Sequence, residues 1–207
     1  MQTHVVDHPL AAERLARIRD EATPSPVFRQ ALRELSTFLV YEATRTLESE
    51  GTTVRTPLAD APARRLVRQP CIVPVLRAGL GMLGPAQDLL PDAHVGFIGV
   101  RRNEATLLPD AYMSTIPDDL DGAPVVVLDP MLATGGSLVY TCEQIVEHNA
   151  GRLIVVCVIA APEGIEHFGK AGFDAEIHTA AIDDRLNEVG FIHPGLGDAG
   201  DRQFGVQ

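Results

Sequence analysis

The sequence has few cysteines and no long apolar run. Its three cysteines, Cys71, Cys142 and Cys157, lie far apart among 207 residues and form no CxxC pair. Such a set predicts neither a disulfide framework nor a zinc cluster and favours a reducing compartment. The longest apolar stretch, residues 153–162, is about half the length that a membrane-spanning helix needs. The first residues lack the pattern of a signal peptide, so we expect a cytoplasmic protein.

Basic residues are also scarce. Seventeen Lys and Arg stand against 28 Asp and Glu, giving a formal charge of −11. A field of that sign repels a phosphate backbone, which argues against nucleic-acid binding without a local basic patch. A small polyanion can still bind where a few cations are concentrated. The apolar share of 45% and charged share of 22% indicate one globular domain, residues 1–207, rather than a disordered or coiled-coil chain.

Residues 1–51 predict a helical extension. Pro9 opens one segment, and Ser25 followed by Pro26 is typical of an N-cap and the first helical position. A stripe of apolar residues at three- and four-residue steps follows, and Gly51 is expected to end the second helix.

After residue 52, short β-branched runs alternate with stretches of helical length. The runs are typical of strands buried on both faces, as in a parallel sheet. The alternation predicts an α/β fold, a doubly wound, mainly parallel sheet with flanking helices over residues 52–186. The predicted strands are residues 72–76, 95–100, 125–128, 153–159 and, more weakly, 175–179. The predicted helices are residues 81–90, 137–150 and 163–170.

Two segments break this alternation. Residues 101–121 are long and polar, which predicts either a hairpin arm or a mobile lid. Residues 187–207 are rich in glycine, which indicates close backbone approach or a flexible terminus. Three apolar residues, Phe191, Ile192 and Phe204, favour a tail that packs.

The strongest motif is VVVLDPMLATGGS, residues 125–137. A buried strand ends in Asp129, and the TGGS segment then opens a helix. Backbone N–H groups at a helix N-terminus, with the hydroxyls of Thr134 and Ser137, suit a phosphate, and Asp129 is placed to accept from sugar hydroxyls. The alternative is a tight turn with Ser137 as the helix cap. The missing GxxxxGK[ST] excludes a nucleoside-triphosphatase P-loop.

A second motif, VPVLRAGLGMLG, covers residues 73–84. Its glycines match GxGxxG between a strand and a helix, with Glu104 further along, which outlines a dinucleotide-binding fingerprint. Arg77 stands just before these glycines and would pair with a diphosphate through two hydrogen bonds. The alternative is that the glycines only permit close packing of helix on strand.

Weaker signals carry alternatives as well. Arg101 and Arg102 lie at the end of a predicted strand, where one can grip an anion while the other is solvated. His4 and His8 are spaced as metal ligands on a helix would be, although solvated or capping histidines fit this terminal segment better. The sequence has no GxSxG and no cysteine with an adjacent histidine, so no nucleophile with its base is evident.

Taken together, VPVLRAGLGM, RRNEAT, VLDPMLATGGS, AAPEGI, LNE and PGLGDAGDRQFG resemble the uracil phosphoribosyltransferase family, in order and spacing, over nearly the whole chain. The resemblance implies a type I phosphoribosyltransferase fold, with a lid at about residues 101–121 and a uracil-binding hood at residues 187–207. It implies transfer of the 5-phosphoribosyl group from phosphoribosyl pyrophosphate (PRPP) to N1 of uracil. The products would be UMP and pyrophosphate, in pyrimidine salvage, with Mg²⁺ as cofactor.

The resemblance also implies site residues. Arg77, Ala78 and Gly79 would face the pyrophosphate, and Arg102 would clamp it from the lid. Mg²⁺ would be held mainly through PRPP and water, with Asp198 helping. The catalytic residues would be Arg77, Arg102, Asp129 and Asp198. The ribose and its 5-phosphate would be held by Asp129, Pro130, Met131, Leu132, Ala133, Thr134, Gly135, Gly136 and Ser137. Uracil would be held by Ile192, Gly197, Asp198 and Ala199.

Four positions depart from the family pattern, and Pro130 conforms to its uracil-specific branch. Arg101 stands where tyrosine is common, Ala105 where a second acid is common, Arg185 where glycine is frequent, and His193 where an aliphatic residue is usual. The resemblance further implies a homodimer or larger homo-oligomer and activation by GTP in some bacterial members.

Three other functions compete with this interpretation. An RNA-binding regulator on the same fold would need a basic face, which the charge of −11 opposes. An NAD-dependent oxidoreductase would use residues 79–81 but leaves residues 129–137 and the glycine-rich tail unexplained. A family member that binds ligands without turnover is opposed by the intact Arg77, Asp129 and Asp198.

Overall fold

The computed structural model describes residues 1–102 and 109–205. Its helices are α1 Pro9–Arg19, α2 Ser25–Ala43, α3 Leu80–Leu89, α4 Gly136–Val146, α5 Pro162–Lys170 and α6 Ala199–Phe204. Its first strands are β1 Gln2–Val5, β2 Ser49–Arg55, β3 Asp60–Leu66, β4 Cys71–Leu76, β5 His94–Val95 and β6 Ile98–Arg102. The later strands are β7 Pro109–Ser114, β8 Val125–Leu128, β9 Met131–Leu132, β10 Leu153–Ala160, β11 Ala175–Ile182, β12 Arg185–Leu186 and β13 Ile192–His193.

A mainly parallel sheet forms the centre of the structure. Its strand order is β1-β11-β10-β8-β4-β6-β7, with β5 beside β4 and β9 beside β10. Within the described part of this sheet every pairing is parallel except that of β6 with β7, which is antiparallel. The central strands therefore end at one edge of the sheet, where loops from different parts of the chain meet.

Helices cover both faces of this sheet. Val126 and Leu128 of β8 pack with α1, α2 and α3, whereas Val125 and Val127 pack with α4 and α5. Strand β10 is buried along its whole length, which explains its unbroken apolar sequence. This arrangement confirms the predicted α/β class with its doubly wound, mainly parallel sheet.

The predicted strands and helices after residue 70 are present with small shifts at their ends. The run at residues 95–100 is divided between β5 and β6, and α4 ends at Val146 rather than at residue 150. The three cysteines are free and buried. No helix in residues 1–102 and 109–205 is both long and apolar enough to cross a membrane.

The first fifty residues are not entirely helical, which corrects the prediction. Strand β1 joins the main sheet beside β11, a long-range pairing that local periodicity cannot show. Helix α2 ends at Ala43, and Gly51 lies inside β2 instead of ending a helix. Ser25 is the first residue of α2, and Pro24 occupies the N-cap position without a side-chain hydrogen bond. His8, in contrast, caps α1, accepting from the N–H of Leu10 at 3.1 Å.

Two hairpins extend from the sheet. Strands β2 and β3 pair only with each other among the described strands, and the sequence analysis missed them because they carry no apolar run. Strands β6 and β7 form an antiparallel pair, which supports the hairpin-arm alternative for the described part of residues 101–121. Residues 103–108, including Glu104 and Ala105, lie outside the described residues.

Gly79 allows a test of how closely the loop after β4 packs against β8. A Cβ atom there would lie 2.4 Å from the carbonyl oxygen of Leu128 and 2.8 Å from that of Val75, both backbone atoms that cannot move aside. We expect Gly79→Ala to lower the free energy of unfolding by about 1–3 kcal/mol, as overpacking does. Chemical denaturation would measure the loss.

Gly51→Ala is the matched control, because a Cβ at Gly51 has no atom within 4 Å. It should leave the stability unchanged or slightly raised. Equal stability of the two variants would contradict the packing role assigned to Gly79.

Candidate functional site

A cavity of about 900 Å³ opens at the edge where the central parallel strands end. One wall comes from the loop after β8 and the start of α4, and the other from the hairpin of β12 and β13 together with Asp198. The lining residues are Met131, Ala133, Thr134, Gly136, Ser137, Leu186, Asn187, Glu188, Val189, Gly190, Phe191, Ile192 and Asp198. The cavity thus joins the phosphate-type motif to the glycine-rich tail.

The loop after β8 is held from below by β10. The N–H of Asp129 donates to the carbonyl of Val156 at 3.1 Å, which carries the strand pairing one residue further. Pro130 and Leu132 are buried, and their carbonyls accept from the β10 backbone and from Ala161. These two residues of the predicted PRPP site therefore support the loop, whereas Met131 and Ala133 between and beyond them line the cavity.

The TGGS segment turns this loop into helix α4. Gly135 has φ +82 and is the N-cap, so α4 begins at Gly136 without a side-chain cap. The alternative of Ser137 as the cap is therefore wrong; Ser137 lines the cavity, as does Thr134. The first N–H groups of a helix have no partner within the helix, so the cavity receives donors and the positive end of the helix dipole.

Helix α5 fixes the position of the TGGS segment. A Cβ at Gly164 would lie 2.2 Å from the carbonyl oxygen of Ala133, so only glycine lets α5 approach this closely. One turn later, His167 Nδ1 lies 2.7 Å from the carbonyl oxygen of Thr134. The motif AAPEGI thus serves to brace the loop rather than to line the cavity.

The carboxyl group of Asp129 is a weaker acid than that of an ordinary aspartate. Burial raises the pKa of its carboxyl group to about 7, and the hydrogen bond from the N–H of Met131, at 3.4 Å, only partly opposes this. A carboxyl group of this kind changes charge near neutral pH and gains most from a ligand that donates hydrogen bonds to it.

The loop after β4 carries Arg77 at its turn, where the Leu76–Arg77 peptide is cis. The guanidinium of Arg77 is half-exposed, and its Nη2 lies 3.9 Å from Asp201 Oδ1 of α6. Ala78 is tied to the same helix, because Gln203 Nε2 donates to its carbonyl at 3.0 Å. Arg77 does not line the cavity itself but stands beside the helix whose N-cap, Asp198, does.

The GxGxxG glycines in this loop are explained by packing. Gly79 touches the β8 backbone, and a Cβ at Gly81 would meet the side chains of Gln203 and Leu32. The atoms nearest to a Cβ at Gly84 belong to the flexible side chain of Arg33. These contacts favour the packing alternative over the dinucleotide-binding one, because the space over the first two glycines is filled by the protein.

The four residues assigned to uracil lie together in the tail. Ile192 and Asp198 line the cavity, Ala199 is buried behind them, and Gly197 is exposed with φ +80. Asp198 accepts from the N–H of Asp201 at 2.9 Å and so begins α6, and this hydrogen bond uses one of its two carboxylate oxygens.

Polar contacts hold the tail in place. Arg19 of α1 donates to the carboxylate of Asp183 and to the carbonyl of Gly195, each at 2.8 Å. The N–H of Gly195 donates to the same carboxylate at 2.8 Å. Although burial alone would raise the pKa of Asp183, the Arg19 and Gly195 hydrogen bonds hold it below its usual value.

A second set of contacts fixes α6 to the first two helices. Arg202 stacks on Phe28 with its guanidinium carbon 4.5 Å from the ring centre, and it donates to the carbonyls of Ile18 and Asp20. The prediction of three apolar anchors is only partly correct. Ile192 is buried, whereas Phe191 and Phe204 are about half-exposed.

Residues 186–191 form part of the cavity wall, and none of them was assigned as a site residue, although the predicted hood began at residue 187. Asn187 shapes their turn: its side-chain oxygen accepts from the N–H groups of Val189 at 3.1 Å and Phe191 at 2.9 Å. Glu163 of α5 accepts from the N–H of Leu186 at 3.0 Å and joins the hairpin to the opposite wall. The LNE motif and Gly190 were the available signals.

The remaining predicted positions lie away from the cavity lining. Arg101 and Arg102 are the last two residues of β6, and only their backbone is described. Arg185 and His193 pair across the β12–β13 ladder, and both are exposed. Ile192 and His193 point to opposite sides of their strand, so the unusual histidine faces away from the wall that Ile192 forms.

The chain is similar to known proteins over nearly its whole length. The family model described as uracil phosphoribosyltransferase matches residues 5–206. A protein of that name from Streptomyces avermitilis is 50% identical over 209 residues, covering 100% of this chain and 99% of the relative. Another from Corynebacterium diphtheriae is 48% identical over 205 residues, covering 99% of this chain and 97% of the relative.

Solved structures agree on the fold. The AQ2163 protein from Aquifex aeolicus superimposes with a TM-score of 0.94 at 40% identity, covering 100% of this chain and 99% of the other. Adenine phosphoribosyltransferase from Leishmania donovani has a TM-score of 0.60 at 13% identity, covering 91% of this chain and 87% of the other. The second likeness shows the shared phosphoribosyltransferase fold alone.

The contacts of Asp183 yield a prediction about the tail. Asp183→Asn keeps the shape but places an amide where two donors converge, so we expect a loss of about 1.5–3 kcal/mol in the free energy of unfolding. Because the pKa of Asp183 is lowered in the folded state, its contribution is present above the ordinary carboxyl pKa. It is lost as the pH falls through the lowered value, so the difference between variant and parent should shrink in acid.

Asp60→Asn serves as the control, since Asp60 pairs with Arg55 on the exposed hairpin. Surface pairs of that kind contribute little, so its stability should stay close to that of the parent. Denaturation at several pH values would measure both variants, and a pH-independent difference for Asp183→Asn would contradict the ion-pair account.

Proposed function

The chain belongs to the uracil phosphoribosyltransferase family, and we propose that its 900 Å³ cavity carries out that family's reaction. The enzyme is a glycosyltransferase that moves the 5-phosphoribosyl group of PRPP to N1 of uracil, forming UMP and pyrophosphate in pyrimidine salvage. One observation carries the placement of this reaction. Thr134 and Ser137 at the start of α4 share a single cavity with Ile192 and Asp198 of the tail.

The 5-phosphate is assigned to the start of α4. The N–H groups from Gly136 onward, and the hydroxyls of Thr134 and Ser137, converge on this part of the cavity wall. A phosphate there is stabilised by several donors and by the helix dipole without any cationic side chain. This agrees with a chain whose overall charge is −11.

The pyrophosphate is assigned to the loop after β4. Arg77 is half-exposed, and its ion-pair partner Asp201 is 3.9 Å away, so a doubly charged phosphate group can replace that long contact. Arg102 is expected to add a second cation, although its side chain lies outside the described residues. The backbone of Ala78 and Gly79 continues the same loop.

The ribose hydroxyls are assigned to Asp129. Asp129 directly follows the last residue of β8, at the start of the loop that leads to α4, although it is not one of the residues that line the cavity. Two neighbouring hydroxyls would donate to its carboxylate and replace the water that burial has removed. This exchange would favour the charged form that burial disfavours.

Uracil is assigned to the tail. Ile192 would cover one face of the ring, while the backbone at residues 197–199 would match the alternating acceptors and donor on its edge. Fixed backbone groups discriminate strongly, because cytosine would present its amino group to a donor and leave both unsatisfied.

The reaction breaks the bond between C1 of the ribose and a pyrophosphate oxygen and forms a bond from C1 to N1 of uracil. Positive charge develops at C1, and the bonding electrons leave with pyrophosphate. The protein's work is to hold the two reactants on opposite faces of C1 and to stabilise the leaving group through Arg77. The N1 proton leaves as the new bond forms and passes to solvent; Asp129 is assigned to the ribose hydroxyls rather than to this proton.

The carboxylates of this site fit Mg²⁺, which binds oxygen ligands and is often held by one or two carboxylates together with substrate phosphates. Asp198 would hold it, since only one of its carboxylate oxygens is used in capping α6. When bound, the ion neutralises charge on the pyrophosphate. Asp201, beside Arg77, would orient the arginine rather than hold the metal.

The test is UMP formation from uracil and PRPP, with and without Mg²⁺. Cytosine, hypoxanthine and orotate serve as competing acceptors. We expect Mg²⁺-dependent UMP formation with the other bases near background. Folded protein that turns over none of the bases would overturn the proposal, and binding of UMP without turnover would then identify a ligand-binding protein without activity.

Asp198→Asn separates the charge of this residue from its capping role. Asparagine caps helices as well as aspartate does, so α6 and the thermal stability should be retained. Loss of the carboxylate should lower kcat/KM by at least tenfold, which is ~1.4 kcal/mol of transition-state stabilisation. Steady-state kinetics and thermal melting would measure these effects, and an unchanged kcat/KM would remove Asp198 from the catalytic set.

The raised pKa of Asp129 predicts how ligand affinity depends on pH. Because the carboxylate accepts from the ribose, UMP affinity should rise with pH and level off above the pKa of about 7. Asp129→Asn should bind more weakly and lose this dependence. The UMP phosphate itself titrates at about pH 6, so the variant supplies the baseline. Calorimetry would measure both, and parallel profiles would contradict the role of Asp129.

We also propose that the chain forms a homo-oligomer through the β2–β3 hairpin. This hairpin stands apart from the main sheet, and Leu58 at its turn is 92% exposed. A partner copy that covered Leu58 and Val54, which is 47% exposed on β2, would remove this apolar surface from water. Activation by GTP stays an expectation from the family, and a cytoplasmic location stays an expectation from the sequence.

A further inference from the structure

A second group of chemically active side chains lies on the main sheet, away from the cavity. Strands β1 and β11 are parallel neighbours whose register places His4 beside His178. Glu176 lies two positions before His178, so all three side chains project from the same face. The two imidazole rings are stacked, with centres 4.8 Å apart and planes inclined by 19°.

The donor atoms of these residues converge. His4 Nε2 lies 3.8 Å from Glu176 Oε1, and His178 Nε2 lies 3.5 Å from Glu176 Oε2. The three ligand atoms all lie within 4.8 Å of one another. Ligands of a tetrahedral zinc ion stand about 3–3.5 Å apart, given bonds of about 2.0–2.2 Å, so small side-chain movements suffice.

His178 supplies an independent sign of a missing ligand. Its side chain is 7% exposed, yet its Nε2 atom is buried and has no hydrogen-bond partner among the described residues. A buried polar atom without a partner is uncommon and unfavourable. This nitrogen points toward the carboxylate of Glu176, and a metal ion between them would satisfy both.

We propose that His4, Glu176 and His178 bind a divalent transition metal ion of the zinc class. Two imidazole nitrogens and a carboxylate oxygen form a common zinc ligand set. His4 is 44% exposed, so the fourth position would be open to water. Stronger binding is expected for Zn²⁺ than for Mg²⁺, because Mg²⁺ disfavours nitrogen ligands.

The neighbouring groups orient the carboxylate. Arg152 donates to Glu176 Oε1, and Thr46 donates to Oε2 at 3.4 Å. Glu42 of α2 contributes a further negative charge near His178. Arg152 opposes a cation electrostatically, but it also holds Glu176 in place.

Such a site would act on stability rather than on catalysis. Strand β1 lies at an edge of the sheet, and most of its residues are exposed. A metal held by His4 from β1 and by Glu176 and His178 from β11 would tie this strand to its neighbour. The cavity lies at the carboxyl ends of the strands, whereas Glu176 lies near the amino end of β11.

The experiment titrates the full, tag-free, chelator-treated chain with Zn²⁺ by calorimetry and with Co²⁺ by visible absorption. The variants are His4→Ala and, as a matched control, His94→Ala, an exposed histidine on β5. We expect one ion per chain, tetrahedral Co²⁺ bands and a higher Tm with Zn²⁺. His4→Ala should weaken binding by at least about 10- to 100-fold, the effect of removing even an outer partner of a metal ligand. His94→Ala should bind as the parent does.

His4→Ala separates metal binding from folding and from UMP formation. His4 is half-exposed and lies far from the cavity, so His4→Ala should fold and form UMP at the parent's rate in Mg²⁺. Equal Zn²⁺ affinity, or an equal rise in Tm, in the parent and His4→Ala would overturn the site. Failure of the parent to bind one ion would do the same, whatever the outcome of the UMP assay.

Discussion

The burial of the central strands on both faces is the constraint on which the rest of this structure depends. Because β10, β8 and β4 are parallel and enclosed by helices, their loops can emerge only at the two ends. The loops carrying Arg77 and Asp129 therefore meet at one edge without any direct bond between them. Glycines complete the arrangement: Gly79 brings its loop against β8, and Gly164 brings α5 against the loop after β8. The cavity wall formed by the loop after β8 and the start of α4 is thus a consequence of apolar packing.

The other side of the cavity depends on a different kind of interaction. The described part of the tail buries only Ile192, Leu196 and Ala199 in the core, and hydrogen bonds to charged groups add to this packing. Arg19, Asp183 and Gly195 form one closed set, and Arg202 donates to three backbone carbonyls. Hydrogen bonds of this kind hold a backbone at a defined distance, which suits a surface that must match the edge of a flat base. The two walls therefore differ in physical origin as well as in sequence.

The sequence predicted the first wall better than the second. The strand ending in Asp129 and the TGGS segment are local patterns, and each produced the structure expected from its own residues. Strand β1 was missed because its pairing partner, β11, lies at the far end of the chain. The β2–β3 hairpin was missed because it buries no face and so lacks an apolar rhythm. Arg19 and Asp183 looked like ordinary surface charges, since nothing nearby in sequence shows that Gly195 lies between them.

The contacts between the first helices and the tail have a consequence for the order in which this enzyme is completed. The bonds from Arg19 to Gly195, from Arg29 to Gln203 and from Arg202 to Ile18 span 176, 174 and 184 residues. A chain emerging from the ribosome contains every strand of the main sheet once Ile182 is synthesised, before Gly195 and Gln203 are added. The wall formed by the tail would then dock last, onto α1 and α2, which are synthesised first. Chains that lack the tail would keep the phosphate-binding edge of the sheet but lose the groups that select the base. The complete cavity would therefore form only in chains that include the tail.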